Sequence, residues 1–240
     1  MKNYLRSLTS LLLMATLAIS PAFGIRKKQL TKLQEEQHKA MHVIVEVERD
    51  VDGNPIRGGL CTAYAVSSHT LLTAQHCDLN TNAIYIDTTD REAIKSQHVM
   101  SYTILSKTYD NEDHVLYVVS GITFNHTIVL TAHVEVPKQG THVYQWGNPA
   151  GVRDQYREGV VIGSMPNPTP DSDNEERVNA TGTVYLIEEP VVGGDSGSAI
   201  FSMEDGQLIG VLTYSIDGGQ LAGVYAVVFT QAQLDAAGVK

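Results

Sequence analysis

Apolar and polar positions alternate in short runs along most of the chain. The first clear run, His42–Glu48, is rich in β-branched residues and is followed by the turn-forming cluster Asp52-Gly53-Asn54-Pro55. Similar runs follow at Leu60–Ser67, Ala83–Asp87, Val99–Leu105, Val115–Ser120, Thr141–Trp146, Gly159–Gly163, Thr181–Ile187, Leu208–Ser215 and Gly223–Phe229. Many short strands separated by turn residues predict an all-β barrel or sandwich.

The first 24 residues have the pattern of a secretory signal peptide. Lys2 and Arg6 precede an apolar stretch, Leu11–Ile19, and Ala22-Phe23-Gly24 is a small-x-small cleavage site. The apolar stretch is too short to span a bilayer as a stable helix. We therefore predict a signal peptide over residues 1–24, with an uncleaved, loosely anchored N-terminus as the alternative.

Both ends of the remaining chain predict helix rather than strand. Residues 25–41 are charged and predict a helical arm that precedes the strands. Near the C-terminus, Thr230 can cap a short helix and Gly238 can end it.

Length and charge limit the classes of partner. Cleavage after Gly24 leaves 216 of the 240 residues and changes the formal net charge from −10 to −12, because Lys2 and Arg6 are removed. An acidic protein of this kind is not expected to bind nucleic acid or an anionic membrane surface. Since no other segment is apolar enough for a membrane helix, we expect no stable membrane insertion after signal removal.

Two motifs far apart in the chain carry the candidate chemistry. In Gly193-Gly194-Asp195-Ser196-Gly197-Ser198, a serine lies between glycines, and the N–H groups of Gly194 and Ser196 can point at a developing oxyanion. The second motif is Thr73-Ala74-Gln75-His76-Cys77. A neutral imidazole such as that of His76 is a suitable base for a serine hydroxyl.

Together these motifs resemble those of the trypsin-like serine peptidases, and the resemblance runs from Val43 to Phe229. The chain order His, Asp, Ser also fits that family, whereas α/β-hydrolases and subtilisins have other orders. The resemblance implies two packed six-stranded antiparallel β-barrels with a short C-terminal helix. It implies a peptidase domain over residues 42–240, with the boundary between the barrels near 121–140.

The resemblance also implies a catalytic triad of His76, Asp113 and Ser196. The family places its aspartate just before an apolar strand, where Asp113 precedes the Val115–Ser120 run. Asp110 is the alternative. His114 departs from the small apolar pair that usually follows this aspartate.

Asp195 raises the question of activation. In activated trypsin-like enzymes, the residue before the serine pairs with a newly freed N-terminal isoleucine. Here Ile25 is followed by Arg26-Lys27-Lys28, and the strands begin much later. We therefore expect an enzyme that needs no zymogen cleavage.

Cys61 and Cys77 are the two cysteines of the chain. An even number of cysteines in an exported protein suggests a disulfide. In the family, a cysteine just after the histidine pairs with one on the preceding strand, which implies a Cys61–Cys77 bond. A metal site is the competing interpretation, but two cysteines without a matching His cluster do not suit zinc. No metal and no cofactor are expected.

The resemblance implies an uncharged substrate pocket. Its base falls at Pro190, and its walls come from Thr213, Tyr214, Ser215 and Gly223. Such a pocket suits a small or medium uncharged side chain. Glu189 lies one residue from the base, so a shift of one residue would change the preference to Lys or Arg.

The leading hypothesis is a monomeric, secreted or periplasmic serine endopeptidase that cleaves proteins or peptides through an acyl-enzyme. One alternative is a catalytically silent trypsin-like binding domain, although the three triad residues are all present. Another is a self-processing protease of narrow specificity, with Arg26-Lys27-Lys28 as its target.

Overall fold

Two closed barrels of antiparallel strands make up the body of the protein. The computed structural model describes residues 21–88, 100–110, 112–132, 137–166, 183–216 and 219–240. In the first barrel the strands follow the order β1-β2-β3-β6-β5-β4. They are β1 (Met41–Arg49), β2 (Pro55–Ser67), β3 (Thr70–Ala74), β4 (Ala83–Thr88), β5 (Met100–Tyr109) and β6 (His114–Ser120).

The second barrel has the order β10-β11-β12-β9-β8-β7. Its strands are β7 (His142–Gly147), β8 (Gln155–Pro166), β9 (Thr183–Glu188), β10 (Ala199–Ser202), β11 (Leu208–Ile216) and β12 (Leu221–Tyr225). The predicted fold of two six-stranded antiparallel barrels is confirmed. The segment between β6 and β7 connects them. The sequence pattern did not predict β3, because all five of its residues are buried and no exposed polar position alternates with them.

An apolar core fills each barrel, and a third cluster joins the two. Ile44, Leu71 and Val115 are among the buried residues of the first core, and Val143 and Ile200 are in the second. The joining cluster takes side chains from both barrels and from the C-terminus, including Tyr64, Leu72, Leu116, Phe201, Val211, Phe229 and Leu234. The seam between the barrels is therefore a tightly packed and largely apolar surface.

Two helices lie outside the barrels in the described part of the chain: α1 (Pro21–Lys39) and α2 (Gln231–Ala236). Thr230 and Gln233 form a capping box at the start of α2, which confirms the predicted C-terminal helix. Neither helix is long and apolar enough to cross a membrane. Most of the predicted signal peptide, residues 1–20, lies outside the described residues.

Helix α1 leads directly into β1 and packs against the second barrel. Gln37 donates a hydrogen bond from Nε2 to the carbonyl of Gly206 at 2.8 Å, and its Oε1 accepts one from the Tyr144 hydroxyl at 2.5 Å. The ring of His38 stacks on Trp146, with 4.2 Å between centroids. The helix therefore has specific contacts at its C-terminal end.

The Cys61–Cys77 disulfide is present, as predicted, with 6.3 Å between the Cα atoms. It joins β2 to the 3₁₀ turn Gln75–Cys77 at the end of β3. A crosslink that closes a loop of this length stabilises the fold by about 3 kcal/mol in the chain-entropy model. The bond therefore fixes the turn that carries His76.

Candidate active site

Strand pairing brings His76 and Asp113 together. β3 and β6 are antiparallel neighbours with Ala74 opposite His114, so the end of β3 meets the start of β6. His76 follows β3 and Asp113 precedes β6, which places the two side chains side by side. The pairing of β3 with β6 thus brings together two residues that are far apart in the sequence.

Asp113 holds the His76 turn through three hydrogen bonds. Its Oδ2 lies 2.8 Å from His76 Nδ1, and its Oδ1 accepts from the His76 main-chain N–H at 2.9 Å. The carbonyl of Asp113 accepts from the N–H of Gln75 at 2.7 Å. Asp113 adopts a φ of 66°, a left-handed conformation that a non-glycine residue keeps only where its surroundings compensate. A carboxylate at Nδ1 favours the tautomer with its proton there, which leaves Nε2 as a proton acceptor.

Asp110 is engaged elsewhere. Its Oδ2 lies 2.6 Å from Nδ1 of His114, and both side chains are fully buried. Asp110 also accepts from the main-chain N–H groups of Glu112, His114 and Val228. The geometry therefore places Asp113, and not the alternative Asp110, against His76. It also explains His114, which serves as the buried partner of Asp110.

The Gly193–Ser198 turn carries Ser196 at the seam between the barrels. The carbonyl of Gly193 accepts from the N–H of Ala150 at 2.6 Å. Because a trans peptide holds its C=O and N–H on opposite sides, the N–H of Gly194 faces away from Ala150. Gly194 has φ +99°, and a Cβ there would lie 2.5 Å from the Asn148 carbonyl, so only glycine fits. Within the described residues, the N–H groups of Gly194 and Ser196 donate to no protein acceptor.

Thr62 of the first barrel binds this turn twice. Its N–H donates to the carbonyl of Ser196 at 2.8 Å, and its hydroxyl donates to the carbonyl of Gly194 at 2.9 Å. Asn148 donates from Nδ2 to the same hydroxyl at 3.0 Å. Thr62 and Asn148 are completely buried. They therefore form a water-excluded polar link across the seam.

A second buried polar cluster lies behind the turn. Arg157 contacts Asp195 through Nη2, and its Nε lies 3.4 Å from Oε1 of Glu189. Gln145 donates to the same Glu189 oxygen. Burial raises the pKa of the Glu189 carboxyl to about 7, although the Arg157 charge and the Gln145 hydrogen bond act in the opposite direction.

The residues expected to form the pocket lie near this cluster. Thr213 is buried and donates to the carbonyl of Gly223 at 3.3 Å, whereas Pro190 and Ser215 are exposed. Tyr214 lies opposite Gly223 on the neighbouring strand. A Cβ on Gly223 would lie 2.8 Å from Cζ of the Tyr214 ring, so this ring occupies the space beside Gly223.

The chain belongs to the trypsin family, because residues 34–234 match the family model described as Trypsin. It is accordingly a trypsin-like serine peptidase, a hydrolase that acts on protein or peptide substrates. No curated protein has a matching sequence.

Solved protease structures share this fold. The active form of the Rv3671c protease from M. tuberculosis has 19% identity and a TM-score of 0.66, with 92% of this chain and 88% of that chain covered. Its inactive form has 20% identity and a TM-score of 0.60, covering 91% and 96%. A variant of the HtrA-type protease AlgW with a tripeptide has 16% identity and a TM-score of 0.61, covering 86% and 61%.

Arg157, Thr62 and Asn148 are functional candidates that the sequence alone does not reveal. None lies in a recognisable motif, and each gains its importance only from the strand register and the packing of the barrels. Gln145 and Arg157, for example, are opposite each other on β7 and β8, which no local pattern reveals.

The Thr62 hydroxyl should matter to catalysis as well as to folding. Thr62→Val keeps the shape but leaves the Gly194 carbonyl and the Asn148 amide without their partner, which costs about 1–3 kcal/mol of stability. We expect a fall in kcat of about tenfold, the equivalent of 1.4 kcal/mol, measured on a peptide substrate. The control is Thr70→Val, whose hydroxyl donates to the distant Ala237 carbonyl at 2.5 Å. It should lose stability but keep kcat; equal kcat in the two variants would contradict the prediction.

The pKa of Glu189 predicts a specific pH dependence of stability. The folded pKa of about 7 lies above the value of 4.5 for an unperturbed glutamate, so the folded protein holds a proton that the unfolded chain releases. This contribution is complete below pH 4.5 and is lost as the pH rises through about 7. Relative to Glu189→Gln, wild type should lose on the order of 3 kcal/mol between pH 4.5 and pH 8. Urea unfolding across this range measures it, with the exposed Glu188→Gln as control. Parallel curves for wild type and Glu189→Gln would show the prediction to be wrong.

Proposed function

We propose that this chain is an exported serine endopeptidase in which Ser196 is the nucleophile, His76 the general base and Asp113 the residue that orients His76. The single observation that carries the proposal is the pair of hydrogen bonds from His76 to Asp113, at 2.8 and 2.9 Å. Together with the glycine turn around Ser196, they match the requirements of this chemistry.

The proposed reaction has two halves. Ser196 Oγ attacks the scissile carbonyl carbon while its proton passes to Nε2 of His76, and Asp113 stabilises the resulting imidazolium. His76 then gives this proton to the leaving amine as the C–N bond breaks, and an acyl-enzyme remains. Water repeats the sequence, with His76 again as base, and releases the acid and free Ser196.

The N–H groups of Gly194 and Ser196 are the proposed oxyanion hole. The orientation of the Gly193 peptide and the lack of a protein acceptor for either N–H in the described residues support this role. Donors held in advance at the place where negative charge develops are commonly worth 10²–10³ in kcat each.

We propose export to the periplasm or the medium, with the protein acting as a monomer. The support for export is the sequence pattern of residues 1–24 and the Cys61–Cys77 bond, because disulfides persist mainly in oxidising compartments. On this proposal, residues 25–41 form an arm and residues 42–240 the peptidase domain.

Ser196→Ala tests the nucleophile. Removal of a triad member costs on the order of 10⁴–10⁶ in rate, so the variant should lose peptidase activity and labelling by a fluorophosphonate probe. Ser120→Ala, at the end of β6 in the first barrel, should keep both. Retention of activity in Ser196→Ala would reject the assignment and favour a silent binding domain or another nucleophile.

We further expect cleavage after small or medium uncharged residues. The Glu189 side chain is fully buried and contacts Arg157, so it offers no free charge to a basic substrate, and an unpaired Lys or Arg would cost several kcal/mol to bury. Burial of Ala, Val or Leu contributes roughly 1–3 kcal/mol. A peptide-library profile measures the preference. Tyr214→Ala should admit larger residues, whereas Tyr85→Ala on β4 should not. A preference for Lys or Arg would overturn this specificity.

A further inference from the structure

Arg157 binds the segment that leads to Ser196 at separate points. Its Nη2 contacts the carboxylate of Asp195, and its Nη1 donates to the carbonyl of Pro190 at 2.6 Å. The side chain is 18% exposed and that of Asp195 is 0% exposed. A planar guanidinium presents its donors to a carboxylate and a carbonyl in a fixed arrangement, whereas the ammonium of a lysine is a point charge on a flexible stem.

Asp195 in turn accepts two hydrogen bonds from the backbone on either side of it. Its second carboxylate oxygen accepts from the N–H of Val192 at 3.1 Å, and its carbonyl accepts from the N–H of Ser198 at 2.9 Å. Asp195 lies directly between Gly194 and Ser196. The conformation of the proposed oxyanion hole therefore depends on a buried carboxylate whose charge is balanced by Arg157.

Gly147 leaves the room that this ion pair needs. A Cβ on Gly147 would lie 2.8 Å from Asp195 Oδ1, 2.9 Å from Ser198 Oγ and 3.1 Å from Arg157 Nη2. Gly147 does not have a positive φ, so the requirement for glycine here is one of space alone. The end of β7 is thus fitted to the contact between Arg157 and Asp195.

Asp195 occupies the position that pairs with a freed N-terminal isoleucine in activated trypsin-like enzymes. In this chain the proposed signal cleavage makes Ile25 the first residue, but Asp195 already contacts Arg157 on β8. We propose that Arg157 is a positioning residue that holds the Gly193–Ser196 turn in its working conformation from within the chain, without a contribution from the N-terminus. The inference rests on the proposed function, because it assigns the turn as the oxyanion hole.

Glu189 is a second anchor for the same guanidinium. Its carboxyl contacts Arg157 of β8 and Gln145 of β7, and it interacts electrostatically with the Asp195 carboxylate and with the phenol of Tyr64 on β2. With the pKa of Glu189 near 7, protonation below neutrality removes one of two competing negative charges and leaves the Arg157 charge to Asp195.

Substitutions at Arg157 and Gly147 test this role. Arg157→Met should lower kcat by about 10²–10³-fold, the range found for loss of an oxyanion-hole donor, with a smaller change in KM. Arg157→Lys should recover part of this loss. Gly147→Ala should reproduce it without touching the charge, by forcing the pair apart. The controls are Arg153→Met, which removes an exposed partner of Asp87, and Gly163→Ala, where a Cβ meets nothing within 4 Å.

Amide hydrogen exchange provides a readout that does not need activity. In Arg157→Met and Gly147→Ala, residues 190–198 should exchange faster, while β3 and the His76 turn keep their protection. If Arg157→Met fails to fold, Arg157→Lys and Gly147→Ala carry the test. Normal kcat and normal protection in the folded variants would overturn the proposal and leave the assignment of Ser196 untouched.

A change at the N-terminus tests the second half of the proposal. Mature chains that begin at Ile25, with and without a short N-terminal extension, should have the same kcat, because Asp195 has its partner on β8. Activation only after removal of the extension would show that a free terminus is required, and would refute the inference. If Ser196→Ala were as active as wild type, the proposed function would fail, while the exchange measurements would still decide whether Arg157 holds the turn.

Discussion

The site depends on how the two barrels meet. His76 and Asp113 belong to the first barrel and Ser196 to the second, so their relation is set by the seam and by no single element. Thr62 makes the connection that matters most there, since its main chain and its hydroxyl both bind the Ser196 turn. Thr62 and its partner Asn148 are completely buried, and hydrogen bonds in such a setting are costly to lose.

Buried charge is the second constraint. Asp113, Asp110 and Asp195 are all buried, and each has a different partner: His76, His114 or Arg157. A buried carboxylate without such a partner would be strongly destabilising. Each of these carboxylates is therefore held at its own partner. Asp113 is the one that contacts His76.

Much of the fold was predictable because the strand pattern and the two motifs agree. The strands with clear alternation or β-branched runs were found, and the order of His76, Asp113 and Ser196 implied the topology. β3 is too short and too uniformly buried to show an alternating pattern. The predicted run Gly223–Phe229 extends beyond β12, which ends at Tyr225, because strand pairing stops there while the apolar sequence continues.

The residues around the proposed site were harder to predict from the sequence than the strands, for a physical reason. A shift of one residue at the end of a strand moves a side chain to the opposite face, and this decides between exposed Glu188 and buried Glu189. The sequence left Glu189 open as a possible pocket residue, but the side chain points to Arg157 and Gln145 instead. Arg157 itself is important only through tertiary contacts, so no motif could have identified it.

The Cys61–Cys77 bond makes the proposed site sensitive to the redox state of its surroundings. Cys61 directly precedes Thr62, and Cys77 directly follows His76. One disulfide is therefore adjacent both to the residue that binds the Ser196 turn and to the proposed base. In a reducing compartment this covalent brace is missing, and both segments lose it together. Reduction of one bond thus loosens both halves of the proposed site at once, on the side of Thr62 and on the side of His76.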